Sequence, residues 1–436
     1  MRRSQFPVVL LLSVATVLLA TVPAPADWPQ WRGANRDDIS KEENLLQEWP
    51  EGGPKRVWMF ENAGVGYAGP AIVGDKLYTM GAREVKDPAA APDAPPRKAE
   101  LLLTLDANTG KELAAVEIGD VLENNWGDGP RGTPTVEDGI IYALGAQGNL
   151  ICVDAATGDV KWKQSMLDLG GTVPTWGFTE SPLVYEDLVL CTPGGEKGAI
   201  AALDKKTGEV IWQTSDITTG AHYSSLVVRA GNDGPELVQL LPDQIVGLEP
   251  NTGKVLWSSP WAGKVAVIPT PIVKDQYVYV TSGYGVGCKA IEIDADDEVT
   301  ELYDNKVMKN HHGGVILIGD HVYGHTDPGG WACQDLKTGE EVWRERSALG
   351  KGAIAYADGR FYCLSENDGE VVLIEASPEG WKEHGRFKLD PQTDQRKEAG
   401  KIWTHPVINN GKLYLRDQNL IYCYDVSENG DASAGN

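Results

Sequence analysis

The sequence predicts an all-β fold, an eight-bladed β-propeller of four-stranded antiparallel blades closed by an N-terminal strand. Three observations lead there: a unit recurs every 40 to 50 residues or so, each copy divides into short apolar segments at strand spacing, and helical spacing is almost absent. Each unit starts with Ser/Thr-Pro and a short apolar strand, then has Asp/Gly, a Tyr-containing strand and Gly-rich residues. An apolar strand ending in Asp follows, then x-x-Thr-Gly and a last strand ending in Trp. Gly132-Thr133-Pro134 through Ile141-Tyr142 and Asp154-Ala-Ala-Thr157-Gly158 to Trp162 is a complete copy, and Ser181-Pro182 through Asp204-Lys-Lys-Thr207-Gly208 to Trp212 is another. Glu249-Pro-Asn-Thr252-Gly253 to Trp257 and Asp335-Leu-Lys-Thr338-Gly339 to Trp343 repeat the ending, while Asp106-Ala-Asn-Thr109-Gly110 keeps the turn without the tryptophan. Weaker copies centre on Asp294, Glu375 and Asp425.

The turn has a mechanism. An aspartate carboxylate accepts backbone N–H bonds across a tight connection, and glycine takes the positive-φ position that a β-branched residue resists. The tryptophan brings a broad flat surface to the outer strand, suited to wedging against the next blade.

The two ends of the chain complement each other. Arg56-Val57-Trp58-Met59 matches an outermost strand such as Glu209-Val210-Ile211-Trp212 but has no preceding strands, and the last unit, from His405 to Asp425, lacks a fourth strand. Pairing them closes the ring and covers an exposed edge. One propeller domain is therefore expected over residues 27–426, with a disordered tail at 427–436. Residues 86–98, rich in Pro and Ala, read as a disordered insertion in the first blade, and residues 390–401 as a polar linker before the last.

At the N-terminus, Arg2 and Arg3 precede an apolar run from Val8 to Ala20, and Ala24-Pro25-Ala26 supplies small residues for cleavage. This reads as a Sec-type signal peptide over residues 1–26 and a periplasmic or secreted protein without a lipid anchor or a membrane span. The formal net charge of −24 speaks against nucleic acid and anionic lipid as partners. Cys152, Cys333 and Cys423 each stand two residues before the acidic residue of a unit, and Cys191 and Cys363 share another position. Equivalent positions on different blades lie too far apart for a disulfide, so the cysteines read as small buried hydrophobes.

Ala202-Leu-Asp204-Lys-Lys-Thr207-Gly208-Glu-Val-Ile-Trp212 reads A-x-D-x-x-T-G-x-x-x-W and resembles the tryptophan-docking motif of the pyrroloquinoline-quinone (PQQ)-like propeller superfamily. The resemblance covers nearly all of the chain after residue 26. That superfamily includes quinoprotein alcohol dehydrogenases, the outer-membrane assembly lipoprotein BamB and many exported proteins of unassigned role. The opening Asp27-Trp28-Pro-Gln-Trp31-Arg-Gly33, followed by Trp49-Pro50-Glu-Gly-Gly53, is similar to the start of that last group. In the dehydrogenases PQQ stacks between a tryptophan and a disulfide of adjacent cysteines, with calcium held by Glu, Asn and Asp. This chain has no Cys-Cys pair and no C-x-x-C-H haem site. The resemblance therefore implies a non-catalytic binding or scaffolding propeller without a cofactor, the alternative being a PQQ- and calcium-dependent dehydrogenase of an alcohol or sugar.

Propellers bind ligands at the mouth of the central channel, on loops leading into the innermost strands. Those positions carry Tyr67, Trp126 with Asp128, Trp176, His222-Tyr223, His311-His312 and Trp403-Thr404-His405. Each histidine alone reads as an interblade hydrogen-bonding residue. Together, at one phase of the repeat, His222, His311, His312 and His405 are expected to face one axial pocket, with one of the adjacent pair inward and the other between blades. Neutral imidazoles there would suit a transition metal, and tryptophan with histidine a quinone or sugar ring; no metal site is assigned. Arg131 would hold an anionic group or pair with Asp128, and Asp128 and Glu180 are the candidate acids. The expected partner is a protein or a small-molecule or carbohydrate ligand at the channel mouth, bound by a monomer.

Overall fold

In the computed structural model, which describes residues 27–86, 95–231 and 233–428, all the regular secondary structure is β. Eight four-stranded antiparallel sheets follow one another along the chain. Blades 1 to 7 take residues 71–120, 135–165, 183–213, 227–260, 272–305, 315–345 and 352–388. Blade 8 takes three strands from residues 407–425, and the fourth is Lys55–Phe60, paired antiparallel with Leu420–Asp425. The first strands of neighbouring blades touch each other around the axis. The last strand of each blade faces solvent, as the alternating exposure of Val160–Ser165 and Val210–Gln213 shows.

The recurring turn does the joining. In blade 1 the Asp106 carboxylate accepts the amides of Asn108 and Thr109 at 3.0 and 2.8 Å, and Gly110 takes a φ of 71°. The outer-strand aromatic of the preceding blade covers that turn. Trp58 donates its indole N–H to Ala107 O at 3.0 Å, and a Cβ on Gly110 would lie 2.6 Å from its ring. Trp162 repeats the contact on Lys205 O at 3.1 Å and Trp212 on Pro250 O at 2.9 Å. Tyr303 does so through its hydroxyl to Leu336 O at 2.7 Å. Trp257 departs from the rule and donates to Glu236 of its own blade at 2.8 Å. The turn it would have to cover, Asp294 to Glu298, has Asp297 instead of glycine at positive φ, and a side chain there removes the flat landing site.

Three sequence expectations change. The first-blade hairpin runs further than expected, with Val85 paired to Arg97, so only residues 87–94 of the expected insertion lie outside the description. Ser427 bridges to Leu45 instead of starting a loose tail, and residues 429–436 lie outside the described residues, as does the expected signal peptide. The linker 390–401 packs across the channel mouth: Lys397 reaches Asp128 of the loop before blade 2 at 2.6 Å, and Arg396 pairs with Asp417 at 2.6 Å. All six cysteines are free and buried.

Residues 28–38, which belong to no blade, fill the axis and reach all eight blades at their first strands or the two residues before them. Trp28 exchanges backbone bonds with Ile72 of blade 1 at 2.8 and 2.7 Å, and Pro29 O accepts from Val136 of blade 2 at 2.8 Å. Arg36 donates to Ser181 O before blade 3 at 3.1 Å and to Leu226 O before blade 4 at 3.0 Å. Trp31 donates to Thr270 Oγ1 before blade 5 at 3.0 Å, and Arg32 to Val315 O of blade 6 at 2.5 Å. Asp38 O accepts from Tyr356 of blade 7 at 2.9 Å, and the Asp38 carboxylate meets His405 before blade 8 at 2.9 Å.

Trp212 is 8% exposed and Trp126 47%. Trp212→Ala is expected to cost about 3–5 kcal/mol, the range for truncating a buried aromatic, and Trp126→Ala less than about 1 kcal/mol. Urea unfolding of the two variants measures the difference, and equal losses would contradict this division between docking and mouth tryptophans.

Candidate functional site

A cavity of about 320 Å³ opens at one end of the axis, walled by loops from every blade and by Trp31 of the axial segment. Its aromatic wall comprises Trp31, Tyr67, Trp126, Trp176, Tyr223, Tyr284 and Trp403. Its charged groups are Arg131, Lys351, Lys401 and Glu366. The loops before the innermost strands carry most of these side chains because successive blades place equivalent loops around one centre.

Eight of the sequence candidates line this cavity: Tyr67, Trp126, Arg131, Trp176, Tyr223, His311, His312 and Trp403. Three do not. Asp128 is tied to Lys397 and accepts the Asn124 amide at 2.8 Å. His222 turns sideways between blades, its Nδ1 accepting the Val267 amide at 3.2 Å. His405 turns down the axis, with Nδ1 2.9 Å from Asp38 and Nε2 2.9 Å from His312 O. The expectation that four histidines share the pocket therefore reduces to two. The expectation for the adjacent pair also changes: His311 and His312 both line the cavity, their ring centroids 3.7 Å apart, because the chain bends there instead of running extended.

Arg131 does not pair with Asp128. It donates to Gly127 O at 2.7 Å, its guanidinium carbon lies 4.7 Å from the Tyr67 ring centroid, and its Nε, buried, has no protein partner. Glu180 is likewise no acid of the pocket. Buried between blades 3 and 4, it accepts the Thr192 amide at 2.6 Å and the Thr192 hydroxyl at 2.9 Å, and burial raises its pKa to about 7.

Reading by repeat phase missed Trp31, Tyr284, Lys351, Glu366 and Lys401. Lys351 precedes the first strand of blade 7, so the phase itself could have found it. Trp31 has no counterpart in any repeat. Lys351 donates to His311 Nδ1 at 2.7 Å and to Asp327 at 2.8 Å. Burial, reinforced by the Lys351 charge, lowers the His311 pKa to about 3, so the ring is neutral at ordinary pH. With Nδ1 accepting from Lys351, the ring proton sits on Nε2, a buried donor without a protein partner. His312 stacks on Trp403 at 4.6 Å, and burial holds its pKa well below the usual value. Glu366 accepts the Trp403 indole N–H at 3.1 Å, and burial raises its pKa despite Lys351 nearby. The site thus offers flat apolar faces and cations, the complement of a ring carrying an anionic group.

The raised Glu180 pKa has a stability consequence. A carboxyl whose folded pKa of about 7 exceeds the ordinary value of 4.5 favours folding fully below about pH 4.5, and that contribution is lost as pH rises through 7. Glu180→Gln is expected to flatten the fall in urea midpoint between about pH 4.5 and 8, and an unchanged slope would contradict the assignment.

A family model described as outer membrane protein assembly factor BamB matches residues 98–345, more than half of the chain. The outer membrane protein assembly factor BamB of Moranella endobia (strain PCIT) is 21% identical over 253 residues, 55% of this chain and 61% of that protein. Methanol dehydrogenase (cytochrome c) subunit 1 of Paracoccus denitrificans is 22% identical over 447 residues, covering 93% of this chain and 56% of its own length. The chain thus spans less than two thirds of either relative. The crystal structure of BamB from Moraxella catarrhalis superposes with a TM-score of 0.60 at 15% identity, covering 85% of this chain and 99% of that one, a likeness of fold.

Proposed function

The chain belongs to the PQQ-like β-propeller family whose model is described as outer membrane protein assembly factor BamB, and from that premise we propose a non-catalytic binding protein that holds a small ring-bearing anion at its channel mouth. The observation that carries this reading is the pairing, around one cavity, of an aromatic wall with the cationic side chains of Arg131, Lys351 and Lys401. A charge-assisted hydrogen bond from such a cation to a carboxylate is about twice as strong as a neutral one, which favours an anion there. Trp403, Tyr67 and Trp176 supply faces on which an aromatic or sugar ring stacks. The proposed setting is the periplasm or the exterior, reached through the signal peptide at residues 1–26, and the proposed state is a monomer. Among the described residues, no helix is long and apolar enough to cross a membrane.

The dehydrogenase relatives raise PQQ with calcium as an alternative. The aromatic wall suits a planar quinone, but the donor set does not suit the metal. Calcium takes about 6–8 oxygen ligands, and the cavity wall presents one carboxylate, Glu366, occupied by Trp403 and 3.8 Å from the Lys351 ammonium. Among the described residues no group of three His, Cys, Asp or Glu is placed to share an ion. The adjacent-cysteine platform of those enzymes has no equivalent here. The residues present do not fit the quinone–calcium pair.

Calorimetric titration with 2-naphthoate, D-glucuronate and D-glucose tests the binding reading. At least one of the two ring anions is expected to bind, glucose more weakly, and Arg131→Ala and Trp403→Ala are each expected to weaken binding about tenfold or more, about 1.4 kcal/mol. Failure of both anions to bind would defeat the proposal. Robust dye-linked alcohol oxidation after adding PQQ and calcium would replace it with the dehydrogenase reading.

A further inference from the structure

The axial segment has a second consequence. Its arginines meet the blades: Arg36 is buried and bonded to the carbonyls of Ser181 and Leu226, and Arg32 to that of Val315. Asp38, with a side chain 1% exposed, is shared between Arg32 Nε at 2.8 Å and His405 Nδ1 at 2.9 Å. These contacts fix the register of the segment, because a shift of one residue would leave buried charges unpaired. The same register puts the Trp31 indole under the cavity, its N–H on Thr270 and its ring 4.6 Å from that of His405. Without Trp31, the cavity has no floor of its own on the axis. His405 also accounts for the neighbouring wall, since its Nε2 lies 2.9 Å from the backbone oxygen of His312, whose ring stacks on Trp403.

We infer that residues 28–38 are a site-completing strap: Trp31 is a ligand-contacting residue, and Asp38 is a positioning residue that acts through Arg32 and His405. Seating of the strap and occupation of the cavity are then coupled. A ligand that touches Trp31 binds only the seated form and holds it in place, so saturating ligand lowers the released population, and loosening the strap weakens the ligand in proportion to the fraction no longer seated. The inference rests on the binding reading above, with Trp31 added to the recognition surface.

Trypsin and 2-naphthoate test it on the full chain. The peptide bonds after Arg32 and Arg36 lie in the strap, so cutting there reports release of the strap from the axis. In the parent protein, saturating 2-naphthoate is expected to slow cleavage after Arg32 about fivefold or more while leaving cleavage elsewhere unchanged. Asp38→Asn is expected to accelerate that cleavage about tenfold without ligand, to remain protected by saturating 2-naphthoate, and to raise the 2-naphthoate Kd only by the inverse of the fraction of strap still seated, with the far-UV circular dichroism of the parent. Trp31→Ala is expected to weaken 2-naphthoate without accelerating cleavage to the same extent, which separates contact from positioning. Because the parent arm needs no variant to fold, an Asp38→Asn protein that misfolds leaves that arm to decide. Binding by the parent with no change in the rate of cleavage after Arg32 would overturn the coupling alone. Equal Kd values for the parent and Trp31→Ala would remove Trp31 from the site. No binding of 2-naphthoate by the parent would end the coupling for this probe, and no binding of either ring anion would end the binding reading as well.

Discussion

The interaction on which the rest of this structure depends is the sharing of the Asp38 carboxylate between Arg32 and His405 at the propeller axis. A carboxylate with 1% of its side chain exposed has given up its hydration, which costs several kcal/mol unless partners replace the water; here Oδ2 lies 2.8 Å from Arg32 Nε and 2.9 Å from His405 Nδ1, while Oδ1 has no protein partner. Replacing one partner by an apolar residue leaves an unpaired charge where eight blades meet. The pairing therefore serves specificity more than net stability: few alternative registers of residues 28–38 satisfy Arg32, Arg36 and Asp38 together. A propeller built from near-identical units has little else to distinguish one rotational placement of an axial peptide from the next.

From the axis outward, the constraints change in kind. The innermost strands are held by backbone and charged bonds to the strap. Between blades the packing is apolar, as in the cluster that joins Tyr142, Trp162, Val189 and Leu203 across blades 2 and 3. At the rim the docking aromatics take over, each one a flat ring over a positive-φ glycine with its polar hydrogen on a turn carbonyl. Ring closure adds a covalent element, because the strand Lys55–Phe60 follows the strap and pairs with the last strand of the chain. Strap and closing strand are thus neighbours in sequence, and between them Trp49 anchors the connection against Tyr362 and Phe387 with ring centroids 5.8 and 5.2 Å away.

What was legible in the sequence follows the same division. The repeat made the blades, the turns and most of the docking aromatics readable, because those contacts recur and each copy supports the others. Repeat phase also located the mouth, and Trp126, Arg131, Trp176, Tyr223, His311, His312 and Trp403 share a cavity. Phase says which loop a residue occupies and nothing about where its side chain turns. His222 points to the Val267 amide and His405 to Asp38, since a ring near a buried amide or carboxylate satisfies that partner first. The strap was unreadable as structure for a related reason. Trp31, Arg32, Arg36 and Asp38 occur once, and their partners are up to 367 residues away. The linker 390–401 looked like a polar spacer because its Arg396 and Lys397 contacts are long-range ion pairs rather than a pattern.

The electrostatics of the mouth bear on what such a site selects. The chain carries a formal net charge of −24, yet Arg131, Lys351 and Lys401 gather around the cavity. At ionic strengths where the Debye length is about 8 Å, the acidic surface repels a polyanion along its whole length while the mouth attracts only what enters it. A long phosphate backbone meets the repulsion and too few cations to offset it. A compact anion with one or two charges meets little of the former, and at the mouth it finds Arg131, whose guanidinium is buried, together with Lys351 and Lys401. The apolar wall acts together with the charge: an ion without a ring gains the pairing but leaves the faces of Trp31, Trp176 and Trp403 bare, whereas a ring without an anion leaves Arg131, Lys351 and Lys401 without its charge. On the binding reading, only a molecule that supplies both recovers both terms, and this is how a general propeller scaffold becomes a discriminating one.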